Sequence, residues 1–119
     1  MVHIPDANIL IAGDLILGKA HPAMQNGDPV SWIGILERIE REINFTRVIP
    51  GHGGVTDRES IAEMKSYIND IQEYVKEAIK SGQTKDFWLA KGIPAPFDSW
   101  MMSYIFEWNF HWLFNKTIN

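Results

Sequence analysis

His52 is the residue of this chain best placed to do chemistry. It stands in Val48-Ile49-Pro50-Gly51-His52-Gly53-Gly54, a short apolar run that ends in a proline and a glycine-flanked imidazole. Glycines on both sides let the backbone approach closely or take positive φ, and they leave room around the ring. A neutral imidazole is a common ligand for zinc, iron or manganese, although a turn histidine also serves by hydrogen-bonding backbone. Asp14 has a similar address, following Gly13 at the end of the apolar run Asn8 to Ala12. A carboxylate just past a strand of an α/β sheet lies where ligand sites gather, although it also caps turns. One helical crossover joins the two runs, and right-handed β-α-β geometry puts their ends on the same edge of a sheet.

The stretch Gly13 to Lys19 has the G-x-x-x-x-G-K spacing of a phosphate loop, but its interior is Asp14-Leu15-Ile16-Leu17 and Ala20 follows the lysine. An acidic, apolar interior repels phosphate, and no hydroxyl is offered to magnesium, so the spacing is coincidental. The chain has no cysteine, which excludes a disulfide framework, a thiolate metal site and a cysteine nucleophile. A metal would have to be held by Asp, Glu and the histidines at 3, 21, 52 and 111.

The elements that position these residues are legible from patterning. Asn8 to Ala12 is a short buried strand, and Leu15 to Leu17 is a candidate for a second. Asp28-Pro29 opens a helix, with Asp28 as the cap and Pro29 at the first turn. Trp32, Ile35, Leu36, Ile39 and Ile43 share one face, and Glu37–Arg41 and Arg38–Glu42 are spaced as ion pairs on the other. Arg47 to Ile49 forms another strand. Thr56 and Glu59 have the spacing of a capping box, followed by the stripe Ile61, Met64, Ile68, Ile71, Val75 and Ile79 with a stop at Gly82. A short helix over Lys85 to Ala90 and a Pro-rich break precede an aromatic helix from Asp98 to Phe114. Trp100, Tyr104, Trp108 and Trp112 mark one side of it, and Met102, Phe106 and Phe110 another. A helix apolar on two sides is either a core element or the cover of a neighbouring subunit. The alternation of short strands and helices is an α/β pattern, with few strands for a sheet.

The chain of 119 residues is long enough for one domain, and its 45% hydrophobic and 22% charged content is that of a globular protein. A net charge of −4 gives no electrostatic reason to bind nucleic acid. The N-terminal stretch lacks a basic region before its apolar residues, and no run reaches membrane-spanning length, so a cytoplasmic, non-membrane protein is expected.

The pair "IPDANILIAGD" and "VIPGHGG" resembles the C-terminal half of a metallo-β-lactamase-fold hydrolase of the glyoxalase-II-like branch. The resemblance covers about residues 2–82, with residues 83–119 as a helical aromatic tail. It implies an α/β fold that is a partial (half) αββα sandwich. In that family the aspartate of the G-D motif bridges two metals and the histidine of P-G-H-G binds the second, which carries over to Asp14 and His52. His21, in "AHP", falls where the family's loops border the site. The family uses metal-bound hydroxide as nucleophile, and zinc is the implied metal. The H-x-H-x-D-H motif is absent, as is a further upstream histidine, and His3 lies too late in sequence to replace it. Two ligands fall short of the three protein ligands of a catalytic zinc. The expectation is therefore an incomplete member that is not competent alone and covers its bare sheet by forming a dimer. The alternatives are a hydrolase whose site is completed in trans, and a piece of a longer enzyme. The substrate, a small molecule in this family, is not chosen by the fold.

Overall fold

Helices dominate a mixed α/β arrangement. The computed structural model describes residues 1–118. Strands β1 (Val2–Ile4), β2 (Ile9–Gly13) and β3 (Arg47–Pro50) make a three-stranded sheet in the order β1-β2-β3. β1 runs antiparallel to β2, and β2 is parallel to β3. Helices α1 (Pro29–Glu42), α2 (Glu59–Ser81), α3 (Lys85–Leu89) and α4 (Tyr104–Ile118) complete the chain. No helix among the described residues is long and apolar enough to cross a membrane.

α1 begins where its cap predicts. The Asp28 carboxylate accepts from the Ser31 N–H at 3.3 Å and from the Ser31 hydroxyl at 2.8 Å, and Pro29 takes the first helical position. Leu36 and Ile39 are buried, whereas Ile35 stays exposed. Of the two expected ion pairs, Arg38 and Glu42 meet at 3.6 Å, while Arg41 turns to Glu42 at 3.7 Å. α2 buries its predicted stripe from Ile61 to Val75, together with Tyr67 and Ala78, and ends at Gly82 with φ 76°.

Three expectations change. Leu15 to Leu17 is a turn, not a strand: the Leu15 and Ile16 N–H groups donate back to the Ala12 and Gly13 carbonyls. Thr56 does not cap α2, because its backbone pairs with Val48 in both directions, at 2.7 and 2.9 Å. Asp57 takes over the first turn, accepting from the Glu59 N–H at 2.9 Å. The aromatic helix begins at Tyr104 rather than Asp98. Trp100 lies before it, stacked on Tyr67 with ring centroids 5.5 Å apart. The side with Phe106 and Phe110 is the core side. Tyr104 and Trp108 face outward, 59% and 51% exposed.

The residues after Gly82 share one core with those before it. The Ala20 backbone bridges to Met101, and Phe97, Trp100, Phe106, Phe110 and Leu113 pack with the α2 stripe. Arg58 ties α1 to α2 by donating to the carbonyls of Glu40 and Ile43 while its guanidinium lies 4.3 Å from the centre of the Phe45 ring. Those are end-of-helix carbonyls without intrahelical partners, so the arginine acts as a cap from a distance.

The result is a slab. Its extents are 52 × 26 × 19 Å, and its radius of gyration of 15.2 Å exceeds the about 13–14 Å expected of a compact chain of this length. The helices cover one face of the sheet, where Leu10, Ala12, Val48 and Pro50 are buried. The period of two puts Val2, Ile4, Ile9, Ile11 and Ile49 on the other face. The register aligns Val2 with Ile11 and Ile49 in one row, and Ile4 with Ile9 and Arg47 in the next. Val2, Ile4 and Ile49 are 55%, 39% and 38% exposed.

Candidate functional site

Two loops meet at the C-terminal edge of β2 and β3. One holds Asp14 and the other His52. The Gly51 N–H donates to the Gly13 carbonyl at 2.8 Å and to the Ile16 carbonyl at 3.1 Å, and the Gly18 N–H donates to the His52 carbonyl at 2.9 Å. The glycines are what allow this. A Cβ on Gly51 would collide with the Asp14 carboxylate and stand 2.8 Å from the Gly13 carbonyl group. Gly53 has φ +94°, and a Cβ there would lie 2.6 Å from the Gly18 carbonyl oxygen. Gly54 has nothing within 4 Å of its Cβ position. The loop around His52 is therefore stripped of side chains at Gly51 and Gly53 chiefly so that two backbones can interlock.

The interlocked loops border a cavity of about 540 Å³, within the usual range for small-molecule sites. Asp14 and His52 both line it, and so does His21. Asp28 and Ser31 enter from the start of α1, Met102 from just before α4 and Ile105 from its first turn. Trp32 forms a fixed wall, its indole N–H donating to the Leu15 carbonyl at 3.0 Å. The sequence-predicted residues Asp14, His21 and His52 thus share one cavity. Sequence reasoning missed Asp28, Ser31 and Trp32 as cavity residues, having assigned Asp28 only to the helix start, Trp32 only to its apolar face, and Ser31 no role.

His21 lines the cavity without being free to act in it. It is fully buried, and both ring nitrogens are engaged. Nε2 faces the Phe97 carbonyl at 2.8 Å, and a carbonyl only accepts, so Nε2 carries the proton. Nδ1 then accepts from the Tyr67 hydroxyl at 2.7 Å. The Tyr67 oxygen accepts in turn from the Asn109 side-chain amide at 3.1 Å. Asn109 also donates to the Pro22 carbonyl at 2.7 Å and accepts from the Met24 N–H at 2.9 Å. No buried side-chain polar atom among the described residues lacks a partner. This network joins the loop after β2 to α2, to the turn at Phe97 and to α4. No signal in the sequence marks Asn109, since its partners lie far away in the chain.

The network fits only a neutral His21. Burial lowers its pKa below the ordinary histidine value, against a smaller opposing effect of the bond to Phe97. The folded state thus resists a proton that the unfolded state accepts below about pH 6.5. Stability from this group is complete above that pH and falls as pH drops below it, by at most about 1.4 kcal/mol per pH unit. Urea midpoints at pH 7.5 and 5.5 (about two units apart, spanning the ordinary histidine pKa) should separate in the wild type and converge in His21→Gln. Equal separation in both proteins would remove His21 from the explanation.

Zinc is not matched by the donors within one chain. Asp14 and His52 would supply at most two ligands, His21 has no free nitrogen, and no group of three His, Asp or Glu side chains suited to a metal occurs among the described residues. His3 is occupied elsewhere, its Nε2 lying 2.8 Å from the Asn44 carbonyl. Compared with known protein families and with curated proteins, the chain matches none.

Proposed function

We propose that this chain is half of a metallo-β-lactamase-type αββα sandwich, one sheet with one helical layer, and that it completes itself by pairing with a second copy. The aliphatic outer face of the sheet, with Val2, Ile4 and Ile49 exposed and Ile9 and Ile11 half-buried, supports this reading. Val2, Ile4, Ile9, Ile11 and Ile49 sit in registered rows with only Arg47 among them, and the slab is 19 Å thick. Two sheets stacked about 10 Å apart would take those side chains out of water. In this reading the protein is a binding or structural module rather than the family's enzyme, because one chain supplies two metal ligands.

A second reading is favoured by Asp14 and His52 opening on the same cavity. It is a zinc-dependent hydrolase whose site is completed in trans by another chain.

Sedimentation velocity tests the first reading. The wild type is expected to be a dimer, and Ile49→Glu should weaken it about 100-fold or more, because a buried carboxylate without a partner costs several kcal/mol. Circular dichroism of the variant should remain helical. A wild-type chain that stays monomeric at high concentration would sink the dimer. Metal analysis of the same preparation tests completion by a second copy: stoichiometric zinc that is lost in the Asp14→Ala/His52→Ala double variant supports it, and a metal-free wild type removes it.

A further inference from the structure

We propose that the cavity beside Asp14 binds a small organic ammonium ion, a primary or quaternary amine carrying an apolar group. The argument goes beyond the metal-corner reading and needs no metal. Asp14 and Asp28 both line the cavity, one just past the end of β2 and the other at the cap of α1. Among the described residues no lysine or arginine lines it. The Asp28 carboxyl is held below the usual carboxylate range, chiefly by the Ser31 hydroxyl, so its charge persists.

Trp32 lines the same cavity. Its indole N–H is fixed to the Leu15 carbonyl, next to Asp14, and its ring lies 3.7 Å from the Cβ position of Gly27, next to Asp28. An aromatic ring and carboxylates lining one apolar cavity suit an ammonium group, tertiary and quaternary ones included. The rest of the wall is apolar: Leu17, Ala23, Ile35, Met102 and Ile105 offer a lobe for a hydrocarbon or aromatic body.

The neighbouring cations do not fill this place. The charge of Lys116 reaches Asp28, but its ammonium lies 4.7 Å from the centre of the Trp112 ring. Met1 lines the cavity, so its terminal amine is a competitor to be blocked in a control. His21 is neutral and engaged on both nitrogens.

The test is a titration of the folded chain with phenethylamine and with benzyltrimethylammonium, followed by the Trp32 indole N–H resonance. Hydrocinnamate, of similar size and opposite charge, is the comparison. EDTA is present throughout, so the outcome is independent of whether Asp14 and His52 hold zinc. Both ammonium compounds should shift the Trp32 signal, and hydrocinnamate should bind at least about tenfold more weakly. Asp14→Asn/Asp28→Asn should abolish that preference, and Asn at position 28 keeps the helix cap. N-acetylated protein should bind the amines at least as well as the unmodified chain. The proposal is overturned if hydrocinnamate binds as tightly as the amines, if the double variant keeps the preference, or if no probe moves Trp32.

Discussion

Asn109→Ala is expected to lower the unfolding free energy by about 2–5 kcal/mol, measured by urea denaturation at neutral pH. The side chain is completely buried on α4 and meets three groups at once. Its loss leaves the Met24 N–H and the Pro22 carbonyl without partners, and each orphaned buried group costs about 1–3 kcal/mol. Tyr67→Phe should cost somewhat less, about 1–4 kcal/mol: it orphans the buried His21 Nδ1 and one Asn109 N–H, but it removes only a hydroxyl, and the two backbone groups keep Asn109. The order of the two variants carries the argument. If Tyr67→Phe proved the more damaging, the network would be centred on the histidine–tyrosine bond and not on the asparagine. Either variant loosens the attachment of α4 to the loop after β2, which also forms part of the cavity wall.

Gly51→Ala comes next, with an expected loss of about 2–4 kcal/mol from overpacking against backbone that cannot retreat. The added methyl meets the Asp14 carboxylate and the Gly13 carbonyl group, both held in the interlock of the two loops. Gly53→Ala should cost a similar amount, since it combines a clash against the Gly18 carbonyl with a left-handed backbone angle. Gly54→Ala is the built-in comparison, with open space at its Cβ and an expected change within about 0.5 kcal/mol. Thermal unfolding of the three variants suffices. Uniform tolerance would mean that the loops do not interlock and that the glycines serve His52 instead. Uniform damage would assign Gly54 a contact that the structure does not contain.

The elements that carry the site were readable because their signals are local. The apolar run before Gly13, the Asp28-Pro29 opening, the α2 stripe and the stop at Gly82 each lie within a few consecutive residues. Asp14 and His52 follow from the same logic, since parallel strands joined by one helix end on one edge. Thr56 went the other way. Its side chain suits a helix cap, but a pair of backbone bonds to Val48 outbid that local preference. The aromatic tail shows a similar limit. With aromatics on two sides of a helix, periodicity did not say which side is core, and contact with α2 selected Phe106 and Phe110 over Tyr104 and Trp108.

By itself, then, the sequence determined the start of α1, the stripe and stop of α2, the strands before Asp14 and His52, that no cysteine chemistry is possible, and that Asp14 and His52 share an edge. Tertiary structure decided what surrounds them. It closed His21 into a network with Tyr67, Phe97 and Asn109, brought Asp28 and Trp32 to the cavity, and left Val2, Ile4 and Ile49 exposed on one sheet face. The physical reason is distance along the chain. Capping, turn and stripe energies arise between near neighbours, whereas the partner of a buried histidine 46 or 76 residues away is chosen only when helices and loops pack.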